Sequence, residues 1–300
     1  MRAAPPMLDQ VQLTPERIVR EVKRLPSAPK VLPRLKRLLQ NGNSSMREIV
    51  QLIRLDPAIA ARVLQVSNSA HYSKGLRCHT VDEAVNRVGC ELVYELVSYA
   101  VASQVLVRPL EVYSLEADGI WRQSVACALA AERIALISGD DCSVAYTVGL
   151  LHRIGMVVIN EWALREEPEL RLTGQDFPGE FIQSEQAALG CTQADVGATL
   201  LRDWDFSPDM TEPVQWQYAP RSAALSVRMA SLLYAARWVR AVVCNESKWA
   251  APPSADLLAL LRVPQTRLAV VVGDVQAHLR TISTLLTESN RSADRAVSAA

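Results

Sequence analysis

The chain has 300 residues, 49% of them hydrophobic, enough for a substantial core in one large domain or two smaller ones. Lys plus Arg and Asp plus Glu both number 32, so no overall field draws the whole chain to nucleic acid or to an anionic membrane, and either partner would need a local patch. No apolar run approaches the roughly 18 residues of a membrane span, and the opening MRAAPPMLDQ lacks a signal-peptide stretch, so the expectation is a soluble, cytoplasmic protein.

Helix signals follow one another along the chain. Thr14, Pro15 and Glu16 form a helix start: a capping hydroxyl, then a proline whose missing N–H is not needed there. Pro26, Pro29 and Pro33 punctuate the next stretch, and the helical period resumes over 31–39. Ser45-Met46-Arg47-Glu48 is a capping box ahead of Ile49, Leu52 and Ile53. Asp56-Pro57 opens another helix. Thr80 to Glu83 repeats the capping shape, and a long helical pattern covers about 92–106. Pro109 breaks the chain near 107–117. Helices are then expected over 119–137, 144–152 and 156–162, and again after Thr192-Gln193-Ala194-Asp195, a further capping box. Alternating apolar and polar residues never persist long enough for a sheet, and Val270 to Val272 keeps the helical period of its neighbours.

These signals predict an all-α chain, a multi-helix bundle in three parts: an N-terminal helical lobe (14–107), a central helical lobe (118–220) and a C-terminal helical appendage (221–288). In the appendage Leu268, Val272, Val275, Leu279, Ile282 and Leu286 are spaced 4-3-4-3-4. That spacing suits a helix packed on its own domain, or a homodimer through 268–286. The last dozen residues read as a frayed tail. Six cysteines stand singly with no CxxC pair, which predicts reduced thiols and no zinc site. Nucleophile elbows, phosphate-binding glycine loops and Walker motifs are absent. The first lobe is locally basic, with Lys30, Arg34 and Arg37 on one helix face, and is read as an ordinary solvated face; nucleic acid is not the expected partner.

Two segments carry a family resemblance. The first is Leu25-Pro26-Ser27-Ala28-Pro29, then Asp56-Pro57-Ala58, then Arg62 through Asn68-Ser69-Ala70-His71-Tyr72, and on to Gly89. The second is Trp121-Arg122-Gln123-Ser124 with Gly149-Leu150-Leu151-His152-Arg153-Ile154-Gly155. Together they resemble the HDOD domain, a bacterial signal-output module related to the HD and HD-GYP metal phosphohydrolases.

In the catalytic relatives the resemblance implies adjacent His and Asp ligands on a helix ending in G-L-L-H-D-I-G, with further histidines around them. Here the corresponding positions hold Gln123, His152, Arg153, Gln193 and, near the last pair, Gln217. A glutamine amide is a weak neutral ligand, and arginine does not deprotonate in a protein. A +1 and a +2 charge about 4 Å apart repel by roughly 8 kcal/mol at an effective dielectric near 20. The expectation is therefore no metal, no cofactor and no catalytic residue, with Gln123, His152, Arg153, Gln193 and Gln217 forming a vestigial pocket. Asn68 and Ser69 are read as helix-end caps or as a polar rim for a ligand.

The resemblance implies a non-enzymatic regulator in bacterial signal transduction. It would act through contact with a protein partner, such as a cyclic-di-nucleotide enzyme or a two-component protein. The alternative is a nucleotide-binding sensor in which Arg153 is the counter-charge for a phosphate.

Overall fold

The computed structural model describes residues 13–22, 45–68, 70–73, 75–89, 93, 109–172, 181–204, 206–245 and 252–280. The helix expected over 31–39, that over 92–106 apart from residue 93, the basic face around Lys30, Arg34 and Arg37, and the C-terminal tail lie outside them. So do Ser69, Ile282 and Leu286.

Local capping sets where several helices begin. Thr14 accepts a hydrogen bond from the Arg17 amide and starts α1 (Pro15–Glu21). Ser45 and Glu48 bond each other's backbone amides at 3.3 and 2.9 Å and start α2 (Met46–Ile53). The buried Asp56 carboxylate accepts from the Ile59 amide at 2.9 Å and starts α3 (Pro57–Ser67). A short α4 (Ala70–Ser73) follows, then α5 (81–89), whose start is capped by Thr80. After a 3₁₀ turn at Glu111–Tyr113 come α6 (Ala117–Ser138), α7 (Cys142–Leu151), α8 (Ile154–Glu166) and α9 (Ile182–Leu189). Thr192 and Asp195 form the second reciprocal capping box and start α10 (Gln193–Asp203). The remaining helices are α11 (Pro208–Gln215), α12 (Val227–Val243), α13 (Ala255–Leu261) and α14 (265–280). The chain is all-α; among the described residues the extended pairing is an isolated bridge between Leu110 and Leu115.

Two cores hold the helices. The larger runs from Ile53 and Leu64 through Ala128, Ile134 and Leu150 to Leu232, Val239 and Leu268, so α2, α3, α5, α6, α7 and α12–α14 share one apolar interior. The smaller collects Ile18 and Val19 of α1, Tyr113, Ile159 and Trp162 of α8, and Val196 and Leu200 of α10. Close approach is possible where side chains are small. A Cβ on Gly149 would lie 2.8 Å from the Ala128 Cα, so α7 rests directly on the α6 backbone. At Gly155 an added Cβ would overlap the carbonyl oxygen of Gln193, so α8 begins against the start of α10.

Through residue 280 the apolar stripe of α14 packs on the chain's own domain, with one change in which residues face inward. Leu268, Val271, Val275 and Leu279 are buried in the chain's own core, while Val272 is only half-buried. The buried set is spaced 3-4-4, the pattern of a helix lying on a globular core and not of a heptad seam. As far as residue 280, this face is not free for a second copy.

Candidate functional site

The five positions expected to form a vestigial pocket come together, and all are buried. Gln123 stands on the second turn of α6, and His152 and Arg153 form the turn between α7 and α8. Gln193 is the first residue of α10, held there by the Thr192–Asp195 box, and Gln217 lies in the turn after α11. Arg153 Nη1 donates to Gln123 Oε1. Gln217 Nε2 donates to the His152 carbonyl and to the Val214 carbonyl, both at 2.8 Å.

Residues that the motif comparison did not single out complete the network. Gln193 Nε2 donates to the Tyr218 hydroxyl at 2.7 Å, and the Gln193 amide donates to Glu185 Oε2 at 2.7 Å. Tyr113, in the 3₁₀ turn, donates to the other Glu185 oxygen at 3.0 Å. Arg237 of α12 lies over the Tyr218 ring, 3.9 Å from its centroid, and also donates to the Gln217 carbonyl. Arg240, one turn further along α12, is 1% exposed. A sequence signal did exist for the two arginines. They interrupt a helix (VRMASLLYAARWVRAVV) whose other residues are mostly apolar, and charge in such a helix is buried unless the helix is a surface one. Tyr113 and Glu185 carried no such signal.

The electrostatics follow from this burial. His152 is 0% exposed, and burial, followed by the positive charges of Arg240, Arg153 and Arg237, holds its imidazole well below the usual histidine range. The ring is neutral. Its Nδ1 lies 2.7 Å from the Gly149 carbonyl oxygen, which can only accept, so Nδ1 carries the hydrogen and Nε2 carries a lone pair. Burial, and then the neighbouring Glu185 carboxylate, push the Tyr113 phenol well above its ordinary value, so it remains a neutral donor.

A divalent ion does not fit this donor set. The Gln123 oxygen is engaged by a guanidinium, and one imidazole nitrogen remains with three guanidinium groups around it. Among the described residues no group of three or more His, Cys, Asp or Glu side chains is placed to hold a metal. Metal-activated water needs several anionic or imidazole donors to offset the cation's lost hydration.

Asn68 lies apart from this network. Its Oδ1 accepts from the Cys78 amide at 2.7 Å and its Nδ2 donates to the Cys78 carbonyl at 3.0 Å, which closes the loop between α3 and α5. Both functional atoms of the side chain are thus engaged with backbone.

The structure defines the class as an all-α bundle whose buried centre is built from amides, one neutral imidazole and guanidinium groups. The HDOD domain family model matches residues 25–220, and the chain belongs to that family. A curated relative, an uncharacterized protein from Treponema pallidum, is 27% identical over 200 residues, which are 65% of this chain and 37% of that protein. The chain therefore spans little more than a third of that relative. Among solved structures, the MmoQ response regulator from Methylococcus capsulatus is 21% identical with a TM-score of 0.65, covering 84% of this chain and 99% of that one. A virulence factor from Campylobacter jejuni is 16% identical with a TM-score of 0.60, covering 83% and 89%. At these identities the likeness is one of fold.

Proposed function

We propose that the chain is a non-enzymatic signal-transduction module that acts through contact with a protein partner. The observation that carries this reading is the buried Arg153–Gln123 hydrogen bond, at two positions for which the family resemblance implies metal ligands in the catalytic relatives. A guanidinium at that place repels a dication, and its amide partner is a poor substitute for imidazole. Membership of the HDOD family supports a regulatory role, as does the fold shared with a protein named as a response regulator. The partner's class, a cyclic-di-nucleotide enzyme or a two-component protein, belongs to the same proposal. So does a cytoplasmic location, which accords with the finding that no described helix is long and apolar enough to cross a membrane.

The nucleotide-sensor reading draws less support from the geometry. Arg153 is 3% exposed and already hydrogen-bonded, so a phosphate would have to displace Gln123 and enter a closed interior.

The test is metal analysis of the purified chain after exposure to manganese and to iron, with hydrolysis of bis-p-nitrophenyl phosphate as the activity readout. Neither stoichiometric metal nor turnover is expected. Tightly bound metal together with turnover would overturn the proposal.

A further inference from the structure

We infer that the open groove between the 218–222 turn, α12 and α13 receives an extended, proline-bearing segment of a partner protein. This rests on the protein-contact reading and names its surface. The groove has a volume of about 590 Å³, and its walls are formed by Tyr218, Pro220, Tyr234, Pro252, Leu257 and Leu260.

Three observations select the occupant. The first is shape. Ala219, Arg221, Ser222, Asp256 and Leu260 on its walls are exposed, so the site is an open trough and not the closed pocket that surrounds most of a small molecule. The second is charge. Arg221 and Asp256 pair with each other across the mouth at 3.3 Å, with side chains 76% and 82% exposed, so the rim has no net charge to offer. Just before the start of α12 the Glu212 carboxylate accepts from the Leu225 and Ser226 amides at 2.9 Å each, so that end already carries a negative charge of the chain's own. An uncharged occupant is therefore the complementary one. The third is the lining. Flat phenol rings and rigid pyrrolidine rings suit prolyl rings, which stack on aromatic walls in a backbone conformation already held before binding. A polyproline-type backbone leaves its carbonyls without internal partners, and the phenol of Tyr234 on the groove wall can supply a donor.

The groove is also joined to the buried network. Tyr218 forms part of its wall while its hydroxyl accepts from Gln193 and its ring lies against Arg237. An occupant that presses on Tyr218 therefore bears on the same turn that carries Gln217.

The experiment uses the full chain and a fluorescein-labelled deca-proline peptide, with a Gly-Ser decapeptide of equal length as the control, read by fluorescence anisotropy. Binding of the proline peptide alone is expected, weakened about tenfold or more by Tyr234→Ala. Leu260→Ser changes a side chain already 44% exposed, which leaves the fold intact, and it should weaken binding in the same direction. No anisotropy change with deca-proline, or binding equal for the two peptides, or binding unchanged in both variants, would overturn the inference. Those outcomes are separable from the metal and hydrolysis test. A metal-free, inactive chain that ignores the proline peptide keeps the proposed function and loses the groove.

Discussion

Acid should destabilise this protein through one buried imidazole. His152 is sealed in the interior, its Nδ1–H is spent on the Gly149 carbonyl, and its Nε2 has no hydrogen-bond partner in the structure. A proton added at Nε2 would have no acceptor and would join three guanidinium charges. The folded ring therefore titrates well below 6.5, while in the unfolded chain it titrates near 6.5. Between those two values the unfolded state binds one more proton, so stability is full above about pH 6.5 and falls as the pH drops toward the folded value. The limiting slope is about 1.4 kcal/mol per pH unit, which amounts to about 2 kcal/mol by pH 5 while the folded ring remains neutral. That is a large share of a typical total stability of roughly 5–15 kcal/mol. The assay is urea denaturation of the wild type and of His152→Asn from about pH 7.5 to about pH 5, the asparagine amide keeping a donor for the Gly149 carbonyl. The wild type should lose stability more steeply over this range than the variant. Parallel slopes for the two proteins would refute the reasoning, because the extra proton would then not be taken up at residue 152.

Two further outcomes follow from the packing. Gly155→Ala places a methyl group into the Gln193 carbonyl, a backbone atom that cannot swing aside, and should cost about 3 kcal/mol or more, lowering the Tm by roughly 6–12 °C in a calorimetric scan. An unchanged Tm would mean that α8 and α10 are not pressed together at this point. Arg228 donates to Asp140 at 2.7 Å, to the Ser138 carbonyl at 3.0 Å and to the Leu260 carbonyl, so it ties the C-terminal ends of α6 and α13 together. Arg228→Ala should cost about 2 kcal/mol and raise amide exchange over 255–261 more than in the shared core, as read by hydrogen–deuterium exchange. Equal exchange in the two proteins would count against the clamp.

The helix starts were legible because capping is a short-range interaction. Ser45 with Glu48 and Thr192 with Asp195 each close a bond over three residues, and the structure contains both. The stripe on α14 was only half legible. Heptad and 3.6-residue spacings share Leu268, Val275 and Leu279, and only the surface beneath the helix selects Val271 over Val272 as the buried residue. The partnership of Tyr113 with Glu185, 72 positions apart, left no local trace. The stretch holding Tyr113 looked like a broken linker, because Pro109 is a local signal and a distant carboxylate is not.

By itself, the sequence determined which chemistry is available at the centre. A glutamine or an arginine has the same donors, acceptors and charge whatever surrounds it, so the amide and guanidinium character of the centre could be read from Gln123, Arg153 and Gln193 alone. Only the tertiary structure decided that these side chains meet, that Tyr113, Glu185, Tyr218 and Arg237 bind them into one network, and that the network is closed to solvent. Burial and contact between distant residues arise from how helices pack, and packing depends on all the faces of all the helices together.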